Sequence, residues 1–245
     1  MAYYERERKM SINLKVFIGW DSREPIAYDV ARASILRHNP NIEVVPVKRD
    51  ELIAQGIFTR EADQGASTEF TMTRFFIPYL SNYEGYSLFM DCDMVLTTDI
   101  AKILDDANLT NAVNCVQHDY DKFDDLSDEK MDGQKQVHYP RKNWSSVMLF
   151  NNAACKELTL DYCNTASAKD LHRMNWASSV GELHHRWNYL AGYYKDNDYN
   201  LIHWTDGGPW FENYRDCPLN HIWYNELFYL FGIHDRYDSI LENLK

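Results

Sequence analysis

The sequence lacks a long apolar run, since no stretch approaches the roughly 18 consecutive apolar residues that indicate a membrane-spanning helix. Its start is dominated by charge (Glu5 to Lys9) and has no apolar segment of the kind that a secretory signal peptide requires. A basic amphipathic stretch, which would suit a membrane surface, is also missing. These absences predict a cytoplasmic protein with no transmembrane segment.

Paired cysteines and an excess of basic residues are missing as well. The five cysteines are odd in number and form no C-x-x-C pair, which is typical of free thiols in a reducing compartment. The 37 acidic residues outnumber the 25 basic ones. This excess argues against a protein that binds the nucleic-acid backbone across a wide basic face. An anionic substrate must therefore be bound by a local positive feature, such as a metal ion, an arginine or a helix N-terminus.

What the sequence does contain is an α/β pattern in 245 residues, enough for one large domain. A β-rich run over 14–18 precedes a helical pattern over 24–36, for which Asp21 and Ser22 are candidate caps. A second strand over 44–47 completes a β-α-β unit, the start of a mostly parallel sheet. The later pattern predicts strands over 86–91, 112–116 and 144–150, helices over 68–80, 100–106 and 153–168, and a packing helix from Leu219 with Ile222, Trp223, Leu227 and Leu230 on one face. We divide the chain into a charged tail (1–12), one domain (13–215) and the C-terminal packing helix (216–245).

The most informative stretch is Phe89-Met90-Asp91-Cys92-Asp93, where an apolar strand stops at two aspartates. The carboxyl end of a buried strand is where an α/β fold places its ligand site. Two carboxylates there form a hard oxygen site that suits Mn²⁺ or Mg²⁺ bridging a diphosphate.

His203 is the candidate third ligand of this cation, and Gly207-Gly208 follows it closely. Adjacent glycines allow close backbone approach to a phosphate. Taken alone, His203 would be interpreted as a structural histidine beside a Gly-Gly-Pro turn. A second D-x-D, at Asp119 and Asp121, is preceded by fewer apolar residues and is interpreted as part of a solvated loop.

Four segments together resemble GT-A-fold glycosyltransferases, most of all the retaining, family-eight-like enzymes and their small bacterial and phage-type members. The segments are 16–21, 73–80, 89–95 and 203–210, and the resemblance spans residues 14–212. It implies a single-domain, Rossmann-like α/β fold with a mixed, mostly parallel sheet. It also implies metal-dependent transfer of a hexose from a nucleoside-diphosphate sugar, with uridine as the base, to a carbohydrate or other hydroxyl acceptor, with retention.

The resemblance also implies roles for individual residues. Arg74 would point from its helix toward the diphosphate and sugar, whereas without the resemblance it would be interpreted as a surface arginine. Asp91, Asp93 and His203 would hold the metal, and Cys92 would offer backbone near the ribose. The residues that would cradle the nucleobase and ribose at the end of the first strand are Ile18, Gly19, Trp20 and Asp21.

The chain departs from the family pattern at two places. The later family motif resembles H-x-x-G-x-x-K-P-W, but here the histidine-to-proline interval is one residue shorter and Gly208 replaces the phosphate-binding lysine. We expect the amides of Gly207 and Gly208, or Arg74, to hold the diphosphate instead. Trp144 stands where relatives have the sugar-facing asparagine, followed by Ser145 and Ser146 instead of Ala-Gly, so we expect a difference in the donor sugar or in how it is held.

Glu182 is our candidate for the group beside the anomeric carbon, because Val180 to Leu183 followed by Arg186 to Asn188 resembles the family segment that carries an acid or amide there. The alternative is an ordinary solvated glutamate. His184 and His185 either contact the acceptor or are ordinary loop residues.

Two rival functions stay open. Asp91-Cys92-Asp93-Met94-Val95 also fits the D-x-D-x-(T/V) pattern of haloacid-dehalogenase-like phosphatases, in which Asp91 would be the nucleophile. That motif usually follows the first strand, whereas here about 90 residues precede it. A nucleotide-sugar-binding protein without catalysis is the other rival, and the lysine missing at Gly208 favours it.

Overall fold

The computed structural model describes residues 14–61, 67–123, 129–130, 134–135 and 141–232. The predicted tail over 1–12 and the end of the predicted C-terminal segment, after 232, lie outside the described residues. The eleven strands of the described part are β1 (Leu14–Gly19), β2 (Glu43–Val47), β3 (Tyr86–Met90), β4 (Met94–Leu96), β5 (Val113–Val116), β6 (Glu129–Lys130), β7 (Gln134–Lys135), β8 (Val147–Asn151), β9 (Val180–Leu183), β10 (Tyr189–Leu190) and β11 (Leu201–His203). The α-helices are α1 (Pro25–His38), α2 (Arg49–Ala54), α3 (Ile77–Leu80), α4 (Ile103–Asp106), α5 (Leu160–Thr165), α6 (Ala168–His172) and α7 (Asn220–Leu230).

The central sheet has six strands in the order β2-β1-β3-β8-β5-β9. β1 pairs in parallel with β2 and with β3, and β5 pairs in parallel with β9. β8 runs antiparallel to both of its neighbours. The sheet is therefore mixed and mostly parallel, and helices flank it, which confirms the predicted α/β class. The β-α-β opening over β1, α1 and β2 is confirmed as well.

β1 and β3 are buried almost throughout, because both faces of the central sheet are covered. Most of their residues are therefore apolar. Phe17, Ile18, Leu88, Phe89 and Met90 belong to the main core. The polar residues that follow these strands therefore lie at one edge of a rigid sheet, where a ligand site can be built.

A second, three-stranded sheet in the order β10-β11-β4 lies beside the central one. β4 begins directly after Asp93 and runs antiparallel to β11, with His203 opposite Met94. Trp204 extends this contact, because its N–H donates to the carbonyl of Asp93 at 3.0 Å. This pairing brings Asp93 and His203 together, although they are 110 positions apart in the chain.

Several predicted element boundaries and caps are wrong. Asp21 and Ser22 do not cap α1: Glu24 stands at the N-cap position without a side-chain hydrogen bond. The helix predicted over 153–168 begins only at Leu160, because the Thr159 hydroxyl accepts the Tyr162 N–H and caps it there. The strand predicted from Trp144 begins at Val147, after a 3₁₀ turn that follows a left-handed Asn143 (φ 61°).

The helix predicted over 68–80 is a series of turns, then a 3₁₀ segment over Thr73–Phe76, and then the short α3. Pro78, near the start of α3, has no backbone N–H to donate to the preceding turn, which favours a new helix starting here. The predicted C-terminal packing helix is present as α7, although Leu230, placed on its packing face, is exposed. Its inward residues include Glu226, whose carboxylate accepts hydrogen bonds from Arg37 of α1.

The five cysteines are all free thiols in this structure, as the sequence predicts. Within the described ranges, no helix is both long enough and apolar enough to cross a membrane.

Candidate metal and nucleotide-sugar site

The pairing of β4 with β11 places Asp91, Asp93 and His203 together. One potential ligand atom of each residue lies within 4.8 Å of those of the other two. The imidazole Nε2 of His203 is 3.3 Å from a carboxylate oxygen of Asp93, and His203 is almost fully buried. The structure thus brings together the three residues that the sequence analysis selected as metal ligands.

The donor set fits a divalent cation. The Oδ1 atom of Asp93 is buried and accepts no hydrogen bond from the residues that the structure describes. An unpartnered buried carboxylate oxygen is costly unless a cation or water satisfies it. Two carboxylates and a neutral imidazole are ligands that Mn²⁺ accepts, and Mg²⁺ also suits the carboxylates.

Asn188 fixes the tautomer of His203. Its amide nitrogen donates to the carbonyl of Asn143 at 3.0 Å, so its amide oxygen faces the His203 Nδ1 atom at 2.8 Å. His203 Nδ1 therefore carries the proton, and the lone pair of Nε2 is directed toward Asp93. A hydrogen bond of this kind orients a metal-binding histidine and raises its basicity.

We therefore expect Asn188→Ala to lower the Mn²⁺ affinity by about 10- to 100-fold, as loss of such outer partners does at metal sites. Asn188→Asp, which keeps an acceptor oxygen toward His203, should lose much less. The electron paramagnetic resonance signal of free Mn²⁺ measures both affinities. Equal affinities in the alanine variant and in the wild type would contradict this role for Asn188.

Arg74 is buried and points into the site. Its Nη1 atom lies 2.9 Å from the carboxylate of Asp91 and donates to the carbonyl of Ser145 at 2.8 Å. The rings of Phe70 and Phe89 flank the guanidinium, so it is not a surface arginine. Burial raises the pKa of Asp91 to about 6, although Arg74 opposes this shift.

The residues predicted to cradle the nucleoside lie at the end of β1, as expected. Asp21 is fully buried, and its carboxylate accepts hydrogen bonds from the Arg23 side chain (2.9 and 2.6 Å), the Arg23 N–H and the Glu69 N–H. Burial alone would raise the pKa of Asp21, but these donors hold it below its usual value. Ile18 is a core residue, and Trp20 is half-buried with the Lys48 ammonium 5.3 Å from its ring centre.

Gly19 has a structural reason to be glycine. A Cβ atom at this position would lie 2.4 Å from the ring of Phe70, so no side chain fits there. The tight contact between β1 and the Phe70 ring therefore accounts for this glycine without any ligand.

Cys92 and Glu24 form a contact that sequence reasoning missed. The Cys92 thiol is buried and lies 3.6 Å from one carboxyl oxygen of Glu24, to which it donates. The Trp210 indole N–H donates to the other oxygen at 3.0 Å. Burial raises the pKa of Glu24 to about 8, and the nearby charges of Asp93 and Asp21 add to the shift. The only sequence signal at Glu24 was the start of a helix.

The raised pKa of Glu24 predicts how pH affects stability in the presence of a chelator. The unfolded chain loses the Glu24 proton near pH 4.5, but the folded chain keeps it until about pH 8. Folding therefore becomes less favourable as the pH rises through this window, because the unfolded chain has lost the proton that the folded chain still holds. Glu24→Gln, which cannot ionise, should become more stable relative to the wild type as the pH rises from about 4.5 to 8. Urea denaturation at several pH values measures the difference, and a constant difference would contradict the prediction.

Gly207 and Gly208 differ in what their amides contact. The Gly207 N–H donates to the carbonyl of Trp204 at 2.9 Å, and Gly207 has a positive φ of 130°. Gly208 is buried, and its N–H meets no acceptor among the described residues. Of the two predicted phosphate-binding amides, Gly208 is therefore the one with an uncommitted donor.

The segment that departs from the family pattern packs beside Arg74. The Ser145 hydroxyl lies 2.8 Å from Nδ1 of His172, which belongs to α6. Burial lowers the pKa of His172 to about 3, and the charge of Arg74 adds to this shift. The Trp144 indole donates to the carbonyl of His118 at 3.1 Å. His172 was missed because a single histidine at the end of a short helix carries no pattern in the sequence.

Glu182 lies on β9, three strands away from β3 in the central sheet. At about 4.8 Å per strand, its backbone is roughly 14 Å from that of β3. Within the described part of the chain, no hydrogen bond or ion pair joins Glu182 to Asp91, Asp93 or His203. Glu182 instead lines a cavity of about 460 Å³ together with Asp119, Phe123, His184, His185 and Tyr194.

Protein CDI of Arabidopsis thaliana is 37% identical to the chain over 224 residues, which are 87% of this chain and 85% of that protein. The chain belongs to the CDI family. No protein-family model matches it.

Solved structures show which fold the CDI family member has. The glycosyltransferase GlyE of Streptococcus pneumoniae superposes with a TM-score of 0.58 at 15% identity, over 94% of this chain but only 63% of GlyE. The bifunctional glycosyltransferase WbbM gives 0.58 at 17% identity, over 95% of this chain and 52% of WbbM. An active-site mutant of LgtC gives 0.51 at 14% identity, over 87% and 95%. The CDI family member therefore has the GT-A-type fold.

Proposed function

We propose that this CDI family member is a metal-dependent glycosyltransferase of the retaining, family-eight-like kind. It would move a hexose from a nucleoside-diphosphate sugar, with UDP as the carrier, to an acceptor hydroxyl. The observation that carries the proposal is the Asp91, Asp93 and His203 cluster, which lies at the carboxyl end of a buried strand in a GT-A-type fold. A ligand site is expected at this end of the strands.

In this proposal Asp91, Asp93 and His203 hold Mn²⁺ or Mg²⁺. When bound, the cation would neutralise charge on the leaving diphosphate. Arg74 orients Asp91 through their 2.9 Å ion pair and adds positive charge beside the diphosphate. Residues 18–21 take the nucleoside, with Cys92 near the ribose, and the free N–H of Gly208 is available to a phosphate oxygen.

The acceptor would enter the cavity that Glu182 lines. Phe123 and Tyr194, whose ring centres are 5.1 Å apart, line this cavity, and aromatic rings provide apolar surface that a sugar ring can contact. The carboxylates of Glu182 and Asp119 can accept hydrogen bonds from its hydroxyl groups. The position of Glu182 three strands from β3 thus favours a role toward the acceptor hydroxyl over the predicted place beside the anomeric carbon.

We expect Glu182→Gln to affect transfer and donor binding differently. If Glu182 acts on the acceptor hydroxyl as a positioned acid or base, transfer should fall by at least about 100-fold, the lower end of such contributions. Binding of the nucleoside diphosphate in the presence of Mn²⁺ should stay within about twofold, because no contact among the described residues joins Glu182 to the proposed metal site. A parallel loss of donor affinity would move Glu182 to the donor side.

A donor-hydrolysis screen tests the proposed function. The wild-type protein is incubated with a panel of nucleoside-diphosphate sugars, with Mn²⁺ or with a chelator, and release of the nucleoside diphosphate is measured. Metal-dependent release from one donor supports the proposal and names that donor. It would also exclude a binding protein without catalysis. No release from any donor, with or without added acceptor sugars, would contradict it.

The phosphatase alternative is not favoured. Its motif should follow the first strand, whereas Asp91 follows the third strand of a fold shared with glycosyltransferases. The Asp91 carboxylate, its required nucleophile, is buried and paired with Arg74. Phosphate release from simple phosphate monoesters in the same screen would revive this alternative.

A further inference from the structure

A buried carboxyl group, that of Glu24, joins three segments of the site that are far apart in the chain. Glu24 precedes α1 and is only 2% exposed. It accepts hydrogen bonds from Cys92, between the two aspartates, and from Trp210, at the end of the loop that begins at His203. The predicted ligand set and nucleoside pocket do not include this contact.

The orientation of Trp210 and the glycine at position 208 depend on each other. A Cβ atom at Gly208 would lie 2.0 Å from the Trp210 ring, so any side chain there would force the ring to move. The ring also packs against Trp223, with ring centres 5.5 Å apart. With Trp210 in this position, a lysine cannot occupy position 208.

The loop between His203 and Trp210 is therefore fixed at both ends. At its start, the Trp204 N–H donates to the Asp93 carbonyl at 3.0 Å. At its end, the Trp210 indole donates to Glu24 at 3.0 Å. Between these anchors lies Gly208, a buried residue whose N–H meets no acceptor among the described residues. A buried N–H without an acceptor is rare and indicates a place for a ligand atom or a water.

We propose that Glu24 and Trp210 form a clamp that holds the Gly208 N–H in position for an anionic oxygen of the donor diphosphate. This clamp takes the place of the missing lysine, and the inference rests on the proposed function. Glu24 and Trp210 are positioning residues, because they act through the loop. The clamp adds no positive charge, so the cation and Arg74 must balance the charge of the diphosphate, and binding should need the cation.

The experiment compares UDP binding and Mn²⁺ binding in matched variants. Trp210→Phe removes the indole N–H but keeps an aromatic ring at that position, and Glu24→Ala removes its acceptor. Trp223→Phe changes the same aromatic cluster without touching Glu24 and is the control. Calorimetry at saturating Mn²⁺ gives the UDP affinity, paramagnetic resonance without nucleotide gives the Mn²⁺ affinity, and circular dichroism confirms folding.

We expect Trp210→Phe and Glu24→Ala each to weaken UDP binding by about tenfold, the effect of losing the hydrogen bond from the Gly208 N–H to the charged diphosphate. The double variant should be no weaker than Glu24→Ala alone, because both changes remove one contact. Glu24→Gln, which keeps an acceptor oxygen, and Trp223→Phe should stay within about twofold of the wild type, as should the Mn²⁺ affinity of Trp210→Phe.

Gly208→Ala provides a second route to the same result, because its methyl group displaces the Trp210 ring without altering either partner. It should also weaken UDP binding. Wild-type UDP affinity in folded Trp210→Phe and Glu24→Ala would overturn the clamp and leave the proposed function intact. Failure of the wild type itself to bind any nucleoside diphosphate with Mn²⁺ would overturn both.

Discussion

Asp93→Ala is expected to abolish metal-dependent binding of the donor while leaving the fold stable. The change removes the carboxylate whose Oδ1 accepts no hydrogen bond from any described residue and which faces His203 Nε2 at 3.3 Å. We expect Mn²⁺ affinity to fall by more than about 100-fold. This exceeds the loss caused by removing a residue that only hydrogen-bonds to a metal ligand. Paramagnetic resonance of free Mn²⁺ and metal-dependent donor hydrolysis measure the loss.

The same change separates a functional role from a structural one. The charge of Asp93 raises the pKa values of Asp91 and Glu24, so it repels both when they are ionised. Without metal, Asp93→Ala should therefore be at least as stable as the wild type. Asp121→Ala is the matched control, since Asp121 belongs to the exposed second D-x-D and should change neither measurement. A folded Asp93→Ala variant with full Mn²⁺ affinity would contradict the site.

Arg74→Met is expected to destabilise the metal-free protein by about 3–5 kcal/mol. This is the usual cost of removing one partner of a buried ion pair and leaving the other charge buried without compensation. Methionine fills part of the apolar space between Phe70 and Phe89, but the Asp91 carboxylate loses its 2.9 Å contact. The pKa of Asp91, already raised to about 6 by burial, should rise further. Urea denaturation at pH 8 in a chelator measures the loss of stability.

The double variant Arg74→Met with Asp91→Asn is the control for this interpretation. Removing the charge that Arg74 balances should restore part of the lost stability, because the two residues form one coupled pair. Saturating Mn²⁺ should also restore part of the stability of Arg74→Met, since the cation would replace the guanidinium beside Asp91. A loss below about 1 kcal/mol in Arg74→Met would show that the pair contributes little to folding.

The sequence allowed the cluster of Asp91, Asp93 and His203 to be predicted because each residue follows from a local pattern or a family resemblance. Asp91 and Asp93 end an apolar strand, and His203 precedes a Gly-Gly-Pro turn. The fold class followed from strands and helices that alternate with clear periodicity. The pairing of β4 with β11 joins these distant residues, and it lies in two three-residue strands that are too short to show a pattern of their own.

The supporting residues could not be predicted in the same way. Asn188, Glu24 and His172 act through contacts with residues that are distant in the chain, and each is a common residue type in an ordinary place. Glu24 is 186 residues from Trp210, so their hydrogen bond exists only in the folded chain. The helix boundaries at Leu160 and Pro78 were missed because a cap and a proline determine them, while apolar periodicity alone suggested longer helices.

Packing explains why Gly208 stands where the family-eight-like pattern has a lysine. In this structure the Trp210 ring lies where a side chain at Gly208 would start, and Glu24 fixes that ring. We therefore expect diphosphate binding in this protein to depend more strongly on the cation than it would with a lysine present, because no second fixed positive charge comes from this loop.

Thermal unfolding with a panel of nucleoside diphosphates, each with Mn²⁺ and with a chelator, tests the central claim most directly. A ligand at about 100 times its dissociation constant adds roughly 2.7 kcal/mol to the stability of the native state, which is readily measured. We expect one nucleoside diphosphate, UDP, to stabilise the wild type only when Mn²⁺ is present. If no nucleotide shifts the transition, or if the shift is the same in the chelator, then Asp91, Asp93 and His203 do not form a metal-dependent donor site.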